Sequence, residues 1–438
     1  MRFKLFLFSQ VFIGYVFSQS YSTSPVSYYG IGEKSWQSHA IFSSLGFAGL
    51  SQFDSTQLNL ENPATYSFLS QGNTLFTVGM GGRISEYTSQ NASALRSQFM
   101  LEQYALGFKM KKNMGLVFSL RPYANRGYHI TEYTFTGVDS IRNSYIGKGG
   151  MSEFILGMSY RPINENRLTF SLGANLGYAF GASEKIRRVQ LLPSINDFPA
   201  GEHNTLMRLN NFSVYTSALL QYKPSKNHQF CLSMAYEPKS LASLLRTVTT
   251  LSSVSIGPNG KPINAVLSSD TTDRHYESTS FATGIAYTLS LPKWRIQTRE
   301  LHPTIKFLGT YRQSSSQISN LDSIHLTGWY GGIQFNMEKN LFENLTVLKF
   351  AEKLTYRLGV YSVSNAFSEQ EITDFGITFG FGIPILIQQS LSSVNFSFQM
   401  GERANESSSL NEKYGGIQVG LIFCPSSFDR WFRKRKLD

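Results

Sequence analysis

The sequence predicts an all-β protein, a fourteen-stranded antiparallel transmembrane β-barrel. Segments in which large apolar residues alternate with small uncharged ones recur fourteen times, and a period of two is the mark of a strand, whose successive side chains point to opposite faces. The joins between these segments alternate between short and long, as in outer-membrane barrels with tight periplasmic turns and long external loops. Only 16% of the residues are charged and 14% are aromatic, against about 25% charged in an ordinary soluble protein. After the N-terminus there is no run of about 18 apolar residues that would form a membrane helix.

The chain opens with "MRFKLFLFSQVFIGYVFSQS". Basic Arg2 and Lys4, an apolar stretch from Leu5 to Phe17, and Val16 and Ser18 at the −3 and −1 positions make residues 1–18 a secretory signal peptide. No cysteine lies nearby, so a lipid-anchored N-terminus is not expected. The strands are expected near 73–82, 99–111, 114–124, 151–161, 168–180, 211–222, 228–237, 280–290, 303–313, 326–338, 354–363, 374–385, 393–401 and 414–423. "DFGITFGFGIPI" (374–385) shows the pattern most sharply. Phe375, Ile377, Phe379, Phe381 and Ile383 share one face, and Gly376, Thr378, Gly380 and Gly382 the other. A soluble sandwich would carry charge on its second face; bulk on one side and almost no side chain on the other suits a wall between lipid and lumen. Most segments have roughly the 9–11 residues that a tilted strand needs to cross a bilayer.

The short joins are 111–113, 162–166, 224–227 and 387–393, and the long ones 83–98, 125–150, 181–210, 238–279 and 402–413. An even strand number puts both termini on one side, the periplasm for a secreted chain. Two joins, 291–301 and 338–353, are long for periplasmic turns, and the second fits a short helix. The outer joins can extend the strands, with "PNGK" (258–261) as a hairpin tip.

Residues 19–71 precede the first strand and hold "GFAGLSQFDSTQLNLENPATY" (46–66). Small residues, then Asp54, Ser55 and Thr56, then Asn62-Pro63-Ala64 just before strand one make this stretch similar to the N-terminal region of the FadL-type barrels, outer-membrane transporters of hydrophobic compounds. The resemblance implies a hatch folded into the lumen; the alternative for Asn62-Pro63-Ala64 is a plain turn into the wall. The chain then divides into a signal peptide (1–18), a hatch (19–71), a barrel (72–424) and a basic periplasmic tail (425–438). In FadL-type proteins an inward kink of the third strand opens the wall sideways. Pro122 falls within reach of the third strand here, and proline removes a ladder hydrogen bond. It is a candidate lateral gate, or else a residue of the fraying outer rim.

Strand parity turns Lys109, Arg121, Arg161, Lys306, Arg312 and Arg357 inward, against Glu153 and Glu237. Lys109, Arg161, Lys306 and Arg357 lie toward the periplasmic end, where the hatch would bring Glu33, Asp54 and Glu61 to pair with them. Arg121 and Arg312 lie higher and are the candidate ligand-binding residues, since arginine clamps a carboxylate head with two hydrogen bonds. Catalytic arrangements are absent from the sequence: Asp273 and His275 in "DTTDRHY" form one acid–His pair in a polar loop, and there is no phosphate-binding glycine loop and no metal-ligand cluster. The expectation is a non-enzyme without cofactor and without a nucleic-acid partner.

The tail "CPSSFDRWFRKRKLD" departs from barrels that end on an aromatic residue. Trp431 and Phe432 suit the membrane interface and Arg433 to Lys436 anionic outer-membrane lipid; a periplasmic partner protein and a disordered end are the alternatives. The two cysteines, Cys231 and Cys424, fall on strands half a ring apart. A disulfide needs Cα atoms within about 7 Å, so both are expected as free thiols, Cys424 the more accessible. Two functions fit: passive passage of hydrophobic or amphipathic small molecules, or a non-transporting subunit of a larger outer-membrane assembly that docks through outer loops and tail.

Overall fold

The computed structural model describes residues 24–34, 39–70, 74–89, 92–135, 137, 140–192, 201–256, 262–296, 299–319, 323–338, 348–367, 370–387, 390–405 and 411–424. The expected signal peptide, basic tail and 258–261 hairpin tip lie outside them.

The N-terminal segment supplies strand β1 (Glu33–Lys34), helix α1 (Ala40–Ser43) and 3₁₀ turns at Pro25–Tyr28 and Pro63–Phe68. Proline opens each of those two turns, where its fixed φ fits and its missing N–H costs no bond. Strands β2 (Thr74–Thr88), β3 (Ser93–Lys111), β4 (Met114–Asn125), β5 (Tyr128–Phe135), β6 (Ser140–Asn164), β7 (Leu168–Leu192), β8 (Gly201–Tyr222), β9 (His228–Ile256) and β10 (Pro262–Ser290) follow. A small ribbon, β11 (Trp294–Ile296) and β12 (Arg299–Leu301), then leads to β13 (Thr304–Ile318) and β14 (Ser323–Asn336). After helix α2 (Phe350–Lys353) come β15 (Thr355–Phe367), β16 (Gln370–Ile387), β17 (Ser390–Asn405) and β18 (Asn411–Phe423).

Fourteen of these strands close into an antiparallel barrel, each pairing with its neighbours in chain order and β18 returning to β2 from Asn411–Thr88 to Phe423–Phe76. Among the described residues strand β5 pairs only with β6, and β1 adds to β4. Every strand expected from the alternation is present. The long outer joins extend the strands: at 125–150, 181–210 and 238–279 the chain largely continues as strand, so β9 and β10 reach 29 residues each. The reason is composition: runs such as "RTVTTLSSVSI" (246–256) are rich in threonine, serine and valine and stay paired beyond the bilayer. The 338–353 join carries its short helix and 291–301 carries the β11–β12 ribbon.

The two faces of "DFGITFGFGIPI" now have their neighbours. Phe375, Ile377 and Phe379 are exposed on the outer surface. Inside, the glycines let the backbone of the N-terminal segment lie directly on the wall. A Cβ at Gly380 would fall 2.4 Å from Ser44 Cβ, one at Gly359 2.0 Å from Gly46 N, one at Gly173 2.3 Å from Ala64 N, and one at Gly115 2.2 Å from Tyr66 O. Cys231 and Cys424 are both free thiols. Cys424 is as buried as Cys231, contrary to the expectation, because its side chain packs with Ile41, Phe42, Leu69 and Leu75 and its N–H bonds to Ser392 Oγ at 3.1 Å.

Candidate lateral opening and luminal cavities

The β3–β4 ladder starts at Lys111–Met114 and ends at Tyr104–Leu120. Just above that last pair, each strand bulges. Strand β3 pairs Gln103 with Gly79 and then Leu101 with Met80, leaving Glu102 as the extra residue. Strand β4 pairs Pro122 with Ser152 and then Ala124 with Met151, leaving Tyr123. A bulge bends its strand and raises its twist, and two bulges at one height steer the strands apart. Above the split, β3 has no second strand partner among the described residues. On the β4 side, β1 takes the freed edge, with Glu33 opposite Asn125 and Lys34 opposite Ala124.

Tyr123, two residues past the inward Arg121, points into the lumen, and the bulge turns the next residue, Ala124, inward as well. The Tyr123 hydroxyl lies 3.4 Å from that of Tyr276 on β10, and the Lys34 ammonium sits 5.5 Å and 6.0 Å from the two ring centres while donating to Ser278 Oγ at 2.7 Å. Lys34 therefore ties the bent part of β4 to the far wall. Next to it, Arg126 is buried and donates to the carbonyls of Ser27 and Gly30.

Two cavities lie in the lumen on either side of Lys34 and Arg312, which line both. One, of about 160 Å³, is walled by apolar Tyr29, Ile31, Phe47, Met100 and Leu326 and by a charged cluster. In that cluster Arg403 meets Glu33 at 3.0 Å, Asp374 at 3.0 Å and Glu412 at 3.3 Å, and Arg83 meets Glu412 at 2.9 Å with its guanidinium 3.5 Å from the Tyr414 ring centre. Tyr414 donates in turn to Asp374. The second cavity, of about 120 Å³, adjoins Pro122 and Tyr123 and holds Arg121, Glu153, Glu237 and Glu61.

The residues singled out from sequence take these places. Arg121 is paired with Glu153 at 2.8 Å and Arg312 with Glu61 at 2.8 Å. Pro122 stands at the β4 bulge and lines the second cavity. Asn62 caps the Pro63–Phe68 turn through Ala64 N at 3.2 Å and donates to Leu50 O at 2.7 Å, while Ala64 N also reaches Ser217 Oγ at 2.9 Å. Asp54 accepts from Thr56 N at 3.0 Å within its own turn. Among the described residues the acids of the N-terminal segment make no direct ion pair with the four lower cations, although Asp54 lies near enough to Lys306 and Arg357 to attract both. Glu33 rides on β1 to the height of Arg403, Glu61 meets Arg312, and Asp54 is used locally. Lys306 instead donates to Gln52 at 2.8 Å, Arg357 to Gln334 at 3.3 Å and Asn395 at 3.1 Å, and Arg161 stacks on Phe68 with its guanidinium 4.8 Å from the ring centre. Lys109 lies low on β3 near Arg161. Sequence reasoning missed Arg403, Arg83 and Glu412, which lie beyond the expected strand ends; the alternation of "FQMGERA" past residue 401 is the signal that would have found Arg403.

With this geometry in hand, the family is legible over the whole length: the family model described as BamG matches residues 1–438. The chain belongs to the BamG family. No curated protein matches it. Among solved structures, the fold is similar to that of a Pseudomonas aeruginosa FadL homologue, at 11% identity over 89% of this chain and 98% of that one with a TM-score of 0.54. It is also similar to the Pseudomonas putida toluene transporter TodX, at 16% identity over 89% and 98% with a TM-score of 0.51. The FadL-like reading of the sequence thus holds for the fold, a fourteen-stranded barrel of the outer-membrane type, within a family of a different name.

Proposed function

We propose that this BamG-family chain is a non-enzymatic outer-membrane barrel, both termini periplasmic, that gives small uncharged hydrophobic molecules a passive path between its lumen and the lipid, with residues 19–71 acting as a hatch. The observation that carries the reading is the end of the β3–β4 ladder at Leu120 between two bulges, beside a luminal cavity. An uncharged cargo follows from the pairing. Arg121 and Arg312 are engaged by carboxylates, and around Arg403 two cations face three acids, so a carboxylate head would displace an existing buried partner. The test is flux of toluene-sized probes into liposomes carrying the purified protein. Flux above that of protein-free liposomes, reduced by Pro122→Thr, supports the reading; flux equal to the background sinks it.

A second reading, a subunit of a larger outer-membrane assembly, is favoured by one feature. Strands β6 to β10 run 22–29 residues, far past the roughly 9–11 that span a bilayer, and raise a broad sheet off one side of the barrel. Native mass analysis after extraction in a gentle detergent tests it: stable envelope partners support it, a lone chain opposes it.

A further inference from the structure

The sheet of long strands ends at β5, whose residues Tyr128 to Phe135 pair with Gly147 to Ser140 of β6 on one side and, among the described residues, with no strand on the other; its first residue lies against the Pro25–Tyr28 turn, with the Tyr28 and Tyr128 ring centres 5.7 Å apart. In an antiparallel ladder alternate residues aim their N–H and C=O groups at opposite edges, so half of the β5 backbone groups point away from β6. Natural proteins protect such edges with charge, proline or a bulge. Strand β5 has none of these beyond Glu132, and it displays Ile130, Tyr133 and Phe135 at 41%, 65% and 72% exposure.

We propose that the β5 edge is a strand-addition site for an extended, acidic segment of another envelope polypeptide. Three observations select that occupant. The continuous edge below it, on β4, already accepts an added antiparallel strand, β1. A second copy of this chain, inserted in the same membrane, carries its own β5 in the same direction and can offer it only in parallel, the weaker pairing. The neighbouring surface is basic: Arg142 stands opposite Tyr133 and bonds to Gln190, and Arg187 lies 5.7 Å from the Tyr145 ring centre. Main-chain bonds would supply affinity, and side chains alternating along the guest strand its specificity. The proposal deepens the second reading above and rests on it.

The experiment uses the full chain purified in detergent and fluorescent ten-residue peptides of alternating valine and threonine. One carries two aspartates, one two lysines, and two further acidic versions are N-methylated along one edge or the other. Saturable binding of the acidic peptide, at least tenfold weaker for the lysine version and for one N-methylated version only, is the expected result. Thr131→Pro and Glu132→Pro place the lost N–H on opposite edges of β5. One of them should abolish binding while the heat-induced gel-mobility shift of the barrel is kept. No binding, binding indifferent to N-methylation, or binding kept by both proline variants overturns the proposal, as does a β5–β5 dimer trapped through Phe135→Cys. If envelope partners found by native mass analysis stay bound to both proline variants, strand addition fails while the subunit reading stands.

Discussion

From β10 round through β18 to β2, every ladder of the barrel runs without a register shift. From β2 to β10 all but the β7–β8 ladder carry at least one, and the β9–β10 ladder carries three. The regular half is also where glycines stand against residues 39–46: Gly332 and Gly359 against the backbone of Leu45 and Gly46, Gly380 against the Ser44 side chain and Gly420 against the His39 ring. A slip of one residue there would turn every aromatic of the outer face into the packed lumen, so regularity and close packing enforce each other. The irregular half holds the split wall and the long projecting strands. Its bulges at Glu102 on β3 and Tyr123 on β4 lie above the Tyr104–Leu120 pair, beside the cavity that Pro122 and Tyr123 line, while lower down the N-terminal segment meets this half too, at Gly115 and Gly173.

Charge removal should separate the halves most strongly. Arg403→Met leaves Glu33, Asp374 and Glu412 without their shared guanidinium, and breaking such a buried group costs on the order of 3–5 kcal/mol. Arg121, whose side chain is 32% exposed against 8% for Arg403 and which has one carboxylate partner, should cost distinctly less as Arg121→Met. The temperature of the gel-mobility transition reads both; equal losses would erase the contrast.

Glycine replacement comes next. Gly359→Val meets the Gly46 backbone, whereas the nearest atom to a Cβ at Gly309 is Ile285 Cγ1 at 3.4 Å. Overpacking of the first kind costs about 1–3 kcal/mol. Protease should cut residues 39–69 in Gly359→Val and leave them intact in Gly309→Val.

A pH effect of similar or smaller size is expected at His39. Its ring lies over Gly420 and its Nδ1 accepts from Ile41 N at 3.3 Å. Burial, helped by the positive charge of Arg357, pushes its pKa down from 6.5 to about 4. The unfolded imidazole takes up a proton below about pH 6.5 and the folded one does not until about pH 4. Stability should therefore fall as pH drops through that window and level off below it. His39→Asn keeps a capping side chain and should flatten the slope; an unchanged slope would assign the effect elsewhere.

The smallest change in stability, within about 1 kcal/mol, is expected for Pro122→Thr, since a bulge at the end of a ladder has little pairing to recover. Its effect should appear in flux alone. A large stability gain would mean that Pro122 holds the wall open against strain.

The fold was legible because lipid and lumen impose a two-residue period that no helix reproduces, and "DFGITFGFGIPI" displays it without interruption. Strand ends were less so: beyond the bilayer both faces of a strand meet water, so nothing in "RTVTTLSSVSI" marks how far the pairing runs or that Val254 bulges within it. The split wall was half legible. Pro122 marks one bulge, but the other falls on Glu102, a residue with no turn chemistry, and only the pairing of β3 with β2 reveals it. Arg121 and Arg312 were correctly turned inward by parity. Glu153, the partner of Arg121, is its cross-strand neighbour on β6; Glu61, the partner of Arg312, depended on where the N-terminal segment lies, and height within a lumen leaves no trace in alternation.

The glycine contacts also set an order of events. Backbone laid on backbone at Gly46 and Gly359, and His39 laid on Gly420 of β18, leave no clearance for a segment to enter sideways once β18 has zipped to β2. The residues made first must already be in place when the strand made last closes the ring. The seam is then a checkpoint in time, and a chain that mislays its N-terminal segment would close around a void or not close at all.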